Sequence, residues 1–273
     1  MGAQRLKLGI IGCGKMAEAM LARWLETGAL TPAEVVACTG TAASAARVTT
    51  SFGIDCGTSA QAVCDRAATV LLAVKPQLRH AVIGPLRPRP DQLWLSVLAG
   101  VPTTALAAAL PDVRLIRLMP NTPVRLGQGL VALVAGQRAT PQDVAATHAL
   151  LAPLGTVLEL PEAQLDAFTA IAGSGPAYVF LFLEALANAA VRAGLEPELA
   201  ARLAEQTLVG AALLAAASPQ SPAVLRAEVT SKGGMTEAAL ATLATAGWSP
   251  ALGEAVAAAV ARARGLAGET LGD

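Results

Sequence analysis

The rhythm of apolar and polar positions changes once along this chain, near Pro161. Before it, short runs of strand length alternate with segments of helix length. "LKLGII", "VVAC", "TVLLAV", "LWLSVL", "VRLIRL" and "LVALVA" are built mostly from Val, Leu and Ile. Several are almost continuously apolar, as expected of strands covered on both faces. "KMAEAMLARWLETG" and "VPTTALAAALP" are among the helical segments between them, and the alternation predicts βαβ units with a parallel sheet. After Pro161 no strand pattern remains. Ala/Leu-rich segments run from about residue 162 to 270, broken at "GSGP", "GLEPE", "SPQSP", "SKGG" and "GWSP". Three of these breaks place Pro near a helix start, and "GSGP" and "GWSP" put Gly just before it. The helices are apolar on most faces, more than one small bundle can bury. That excess predicts an oligomer interface.

Charge and composition narrow the function. The 20 basic and 20 acidic residues cancel, so no net field favours nucleic acid or an anionic membrane. There is one Tyr and no basic run with interleaved aromatics. The N-terminus has neither the long apolar core nor the cleavage site of a signal peptide. Leu6 stands where a myristoylation signal needs Ser or Thr. The most apolar window, "AYVFLFLEALANAAV", is shorter than a bilayer-spanning helix and carries Glu184 and Asn188. A soluble, cytoplasmic protein with no membrane or nucleic-acid partner is expected. Cys13, Cys38, Cys56 and Cys64 show no CxxC pairing and read as small buried thiols in a reducing cytosol. No metal site is expected. His80 and His148 have no partner spacing and are given no catalytic role.

The first strand ends in Gly12-Cys13-Gly14-Lys15-Met16-Ala17, a GxGxxA pattern directly before a helix. Gly12 permits a tight turn, Gly14 lets backbone approach a pyrophosphate, and Ala17 allows close helix packing. The helix opened by Lys15 and Met16 adds unpaired N–H groups and a positive dipole end. The second strand is followed by Thr39, Gly40 and Thr41, with no acid before Asp55. An acid there would hold a ribose 2′-hydroxyl; hydroxyls, N–H groups and Arg47 suit a 2′-phosphate instead. NADP(H) is therefore expected over NAD(H), although Arg47 reads equally as a solvated helix residue. Three further strand ends carry Lys75 and Pro76, Ala99 and Gly100, and Pro120 and Asn121. Ligands of open parallel sheets bind at those ends. The alternatives are a solvent-facing Lys75 and an Asn121 that only satisfies its own turn.

"IIGCGKMAEAM", "AVKPQ", "LSVLAG", "RLMPNTPVRLGQGL", "DAFTAIAGSGPAYVFLFLEALANAAVRAGL" and "EVTSKGGMTEAAL" together resemble the pyrroline-5-carboxylate reductase family, in that family's order. The resemblance implies an α/β fold. An N-terminal Rossmann-type parallel sheet, residues 1–161, would bind NADP, and a C-terminal all-helical domain, residues 162–273, would dimerise and bind substrate. It implies NAD(P)H-dependent reduction of Δ1-pyrroline-5-carboxylate to L-proline by a homodimer, often one of a ring of dimers. The substrate pocket would lie between the nicotinamide and the helical domain, with the partner subunit helping to form it.

The resemblance also explains a costly interruption. Gly233 and Gly234 each cost about 1 kcal/mol inside a helix. They would open a helix whose bare N–H groups face the substrate carboxylate, with Ser231 and Met235 beside them. Thr236, one turn in, would hydrogen-bond the ring nitrogen and is the catalytic candidate; Ser174 in "GSGP" would help orient the pocket. Ordinary capping by Ser231 or Thr230 is the alternative. Two positions depart from the family's usual pattern: Lys232 replaces Pro, and Met235 replaces a smaller residue or Thr. The competing functions are reduction of another cyclic imine or a β-hydroxy acid, and a non-catalytic NADP(H)-binding regulator.

Overall fold

Runs of Val, Leu and Ile become the strands of one sheet, and the computed structural model describes residues 6–271, with side chains to residue 265. Residues 1–5, on which the leader and myristoylation readings partly rest, lie outside the described residues. The first half runs β1 (Leu6–Ile11), α1 (Lys15–Glu26), β2 (Val35–Cys38), α2 (Ala42–Phe52), β3 (Asp55–Gly57), α3 (Ala60–Arg66), β4 (Ala67–Leu72) and α4 (Arg79–Ile83). It continues through β5 (Leu93–Ser96), α5 (Thr103–Ala109), β6 (Arg114–Pro120), β7 (Gly129–Ala135), α6 (Pro141–Leu151) and β8 (Gly155–Glu159). Helices follow: α7 (Leu165–Phe168), α8 (Gly175–Arg192), α9 (Pro197–Ala217), α10 (Pro222–Glu228), α11 (Met235–Thr245) and α12 (Trp248–Leu271).

The sheet order is β3-β2-β1-β4-β5-β6-β7-β8. β1 to β6 are mutually parallel, which sets the carboxyl ends of β1, β2, β4, β5 and β6 along one edge. The expectation of a wholly parallel sheet is corrected at β7, which runs antiparallel to β6. Only the short 3-10 turn Thr122–Leu126 joins the two strands, and a parallel crossover needs a dozen residues or more. β3 and β8 were not foreseen, because "DCG" and "GTVLE" carry too little apolar pattern.

Alternate residues of the strands feed two cores. Leu8 and Ile10 pack with Met20, Leu21 and Trp24 of α1 on one face. Ile11, Val70 and Trp94 pack with Val63 and Leu106 on the other. The Trp24 indole N–H donates to Leu150 O at 2.6 Å and so fastens α1 to α6.

The chain forms two compact units: residues through Ser174 together with those from Ala259 onward, and Gly175–Ala258. The predicted break at "GSGP" takes a particular form. Residues Thr169–Gly173 form a π-turn, Ser174 is a bend, and α8 begins at Gly175 with Pro176 in its first turn, so the helix start stands while the residues before it are a π-turn rather than a loop. The breaks at Pro197 and Pro222 stand as expected, each proline at a first helical turn after an extended residue. In the second unit the rings of Phe182 and Trp248 lie 6.0 Å apart. Phe180, Leu181 and Leu213 are each about two-thirds exposed in the single chain, at 64%, 66% and 65%.

Candidate cofactor and substrate sites

The turn after β1 is fixed by its backbone. Gly12 has φ +89°, and its N–H donates to Cys38 O at 3.0 Å, tying the turn to the end of β2. A Cβ at Gly12 would lie 2.7 Å from the Val74 side chain and 2.8 Å from its backbone nitrogen. Gly14 is the N-cap of α1 and has no side chain to cap it. A Cβ there would meet nothing within 4 Å. The space beside the helix start is thus open, as a pyrophosphate cradle requires. Lys15 and Met16 form the first turn of α1, Lys15 exposed and Met16 half-buried.

The β2 exit is more committed than the sequence suggests. Thr39 is buried and donates its hydroxyl to Thr41 O at 3.0 Å. Thr41 is the N-cap of α2, its hydroxyl accepting from the Ser44 N–H at 3.2 Å. These hydroxyls first order the turn, and the first turn of α2 contains no acid. Arg47 is gripped by both oxygens of Glu18 at 2.5 and 3.2 Å, so its guanidinium is held near the α1 start rather than free in solvent.

On the same edge, Lys75 is exposed and Pro76 half-buried after β4, while Ala99 and Gly100 (φ +72°) form the turn after β5. Pro120 ends β6. Asn121 is buried, its amide donating to Ala172 O at 2.9 Å and accepting from the Leu130 N–H at 2.8 Å. It braces β6, β7 and the π-turn rather than only its own turn. The sheet therefore gathers Gly12, Gly14, Lys15, Met16, Thr39, Thr41, Lys75, Pro76, Ala99, Gly100, Pro120 and Asn121 along one edge.

In the second unit, Gly233 has φ +72° and Gly234 is the N-cap of α11. A Cβ at Gly234 would lie 2.3 Å from the Ser231 hydroxyl oxygen and 3.0 Å from its carbonyl, so a side chain there would force the Ser231 hydroxyl to move. The glycines' own N–H groups are not bare: Gly233 donates to Glu237 Oε2 at 2.7 Å and Gly234 to Ser231 O at 3.0 Å. No side chain caps α11, which leaves the N–H groups of Met235 and Thr236 without a capping partner. Neither Ser231 nor Thr230 performs the capping alternative; the Thr230 hydroxyl donates back to Arg226 O at 2.6 Å. Thr236 is half-buried and Met235 is 92% exposed. Ser174, half-buried, closes the first unit, its N–H donating to Thr169 O at 2.9 Å.

Burial governs the thiols. It pushes Cys13 up to about 12, with Glu18 adding to the effect, and Cys38 up to about 11. Cys64 is likewise raised to about 12, so none of the three is a thiolate near neutral pH. The sequence reading missed a polar cluster: Glu162 accepts from Thr103 and from Arg117, a buried arginine inside β6. The signal was there in "VRLIRL", where a charge within a buried strand demands a partner.

A glycine-rich turn at the first strand of such a sheet, with uncommitted helix N–H groups beside open space, defines a dinucleotide-binding oxidoreductase. The profile for pyrroline-5-carboxylate reductase dimerisation matches residues 162–266, and that for NADP oxidoreductase, coenzyme F420-dependent, matches residues 7–100. The chain belongs to the pyrroline-5-carboxylate reductase family. It is 38% identical over 262 residues to the pyrroline-5-carboxylate reductase of Synechocystis sp., covering 96% of this chain and 98% of that one. The corresponding enzyme of Pseudomonas aeruginosa is 40% identical over 271 residues, covering 97% and 98%. Among solved structures, a Plasmodium falciparum pyrroline carboxylate reductase with NADP bound aligns with TM-score 0.89 at 25% identity, covering 97% of this chain and all (100%) of that one. The Streptococcus pyogenes enzyme aligns with TM-score 0.88 at 31% identity, covering 96% and 99%.

Proposed function

We propose that this chain is an NADPH-preferring, cytoplasmic reductase that converts Δ1-pyrroline-5-carboxylate to L-proline as a homodimer. A bound nicotinamide supplies the hydride that reduces the C=N bond. The chain's own residues bind, orient and exclude water. Gly12 and Gly14 shape the phosphate turn, and Lys15 and Met16 open the helix above it. Thr39 and Thr41 order a β2 exit with no acid to repel a 2′-phosphate, which supports NADPH over NADH. Lys75, Pro76, Ala99, Gly100, Pro120 and Asn121 line the remaining strand ends; Asn121, with its amide committed, has only backbone to offer. We take the functional division at residue 162; the start of the dimerisation profile there supports it, although the compact units divide at Ser174.

The observation that carries the substrate reading is the uncapped first turn of α11. Its free N–H groups suit the substrate carboxylate, and in this reading the Thr236 hydroxyl hydrogen-bonds the ring nitrogen as it takes up a proton. An iminium carbon accepts hydride far better than a neutral imine, so a partner at that nitrogen matters. Ser231, Gly233, Gly234 and Met235 shape this turn, and Ser174, at the end of the first unit, remains a substrate-binding candidate in this reading. The exposed apolar faces of α8 and α9 support dimerisation. Glu162–Arg192 and Pro197–Ala217 are long and apolar enough to cross a membrane, with mean hydropathy 1.5 and 1.3. Both fall within the dimerisation profile, which supports a partner subunit rather than lipid as their cover.

Thr236→Ala tests this reading. A hydrogen bond to a charged group contributes roughly 1.5 to 3 kcal/mol, so kcat/KM should fall roughly ten- to hundredfold. NADPH affinity should stay near that of the wild type, and Thr236→Ser should recover much of the activity. Wild-type kcat/KM in Thr236→Ala would reduce the residue to a helix-start hydroxyl.

A further inference from the structure

Arg117 is a charged side chain within a buried strand, with only 8% of its surface exposed. Its Nη1 donates to Glu162 Oε1 at 2.8 Å, while its Nε has no partner among the described residues. A buried guanidinium this sparsely bonded depends on its one carboxylate. Glu162 is in turn more than a counterion. Its Oε1 also accepts the Thr103 N–H at 2.8 Å, and its Oε2 accepts the Thr103 hydroxyl at 2.5 Å.

Thr103 opens α5, and Pro102 before it has no side chain able to cap the helix. Glu162 fills that role across 59 residues of chain. The stretch from Val97 to Pro102, which hangs between β5 and α5, holds Ala99 and Gly100. β6, which carries Arg117, ends at Pro120 with Asn121 next. One carboxylate therefore fastens the turn after β5 and the strand that delivers Pro120 and Asn121.

We propose that Glu162 is a positioning residue for the nicotinamide end of the cofactor, holding the Ala99–Gly100 turn and the β6 exit in register. The inference rests on the proposed function: with the phosphates at the turn after β1 and the 2′-phosphate at the β2 exit, the strand order leaves the ends of β5 and β6, on the other side of β1, for the nicotinamide. A purely structural staple would change stability without distinguishing one end of the dinucleotide from the other.

The test uses the full-length protein with two ligands: NADPH, and adenosine 2′,5′-bisphosphate, which has the 2′-phosphate but no nicotinamide. Thr103→Val removes one bond to Glu162 and leaves the backbone bond and the arginine pair, so it probes the link more gently than Glu162→Gln. Misplacement of the turn should raise the Kd for NADPH about tenfold in Thr103→Val and more in Glu162→Gln. Adenosine 2′,5′-bisphosphate should bind within about twofold of wild type, and Thr103→Ser should restore NADPH binding. Without ligand, amide hydrogen exchange at residues 97–103 should quicken in Thr103→Val while that of β1 stays unchanged. Equal weakening of both ligands, or unaltered NADPH binding in Thr103→Val, would overturn the proposal while leaving the functional reading intact. Failure of wild-type protein to bind NADPH would remove that reading, and the proposal with it.

Discussion

Gly12 and Gly14 look alike in the sequence, yet they do different work, and substitution separates them. At Gly12 the positive φ and the nearby Val74 backbone leave no place for a Cβ. Gly12→Ala should cost about 1 to 3 kcal/mol of stability, seen as a Tm several degrees lower. At Gly14 a Cβ meets only open space, so Gly14→Ala should keep the wild-type Tm and lose NADPH affinity about tenfold or more by intruding on the phosphate. Titration of NADPH beside a thermal melt distinguishes the two, and a normal NADPH affinity in Gly14→Ala would remove the phosphate from this turn. At this scale the glycine turn after β1 and the missing acid after β2 were legible, because glycine spacing and missing acids are properties of residue type. The commitments of side chains were not. That Thr39 points inward to Thr41 O, that Glu18 holds Arg47, and that Asn121 braces the π-turn all depend on partners distant in sequence or on local geometry that composition does not encode.

Elements were read well where pattern was strong and poorly where length decided. β1 and β2 match their apolar runs residue for residue. β7 was read as one more parallel strand, since an apolar run carries no direction; the short link from β6 was the usable clue. "GSGP" has the composition of a helix break and α8 does begin there, but the π-turn that ends at Gly173, a feature that often marks functional sites, left no signature in the sequence. The Glu162 link between elements has a pH signature. Burial raises its carboxyl pKa, but the Thr103 hydroxyl and N–H and the Arg117 guanidinium outweigh that and hold it below the ordinary 4.5. A carboxyl depressed in the folded state adds stability above its unfolded pKa, and that contribution is lost as pH falls through the folded value. The Tm gap between wild type and Glu162→Gln should therefore be full at neutral pH and narrow below about pH 4.5. A gap that stays constant into acid would mean the carboxylate charge is not what holds the link.

For the whole molecule, the division into an α/β half and a helical half was visible in the change of rhythm near Pro161. What covers the helical half was visible only as a surplus of apolar surface. Exposed Phe180, Leu181, Leu213 and Leu214 on α8 and α9 are more than a soluble single chain tolerates. Sedimentation at micromolar concentration should show a dimer, and a stable, active monomer would refute both the interface and a pocket shared between subunits. The central claim joins the two halves: a phosphate edge without an acid, and a helix start suited to a cyclic imino acid. Steady-state turnover of Δ1-pyrroline-5-carboxylate by the full-length protein, with NADPH and NADH compared side by side, tests both together. The account predicts stoichiometric L-proline, with kcat/KM higher for NADPH than for NADH. No proline with either cofactor would contradict the assigned reaction, and a preference for NADH would contradict the reading of the β2 exit.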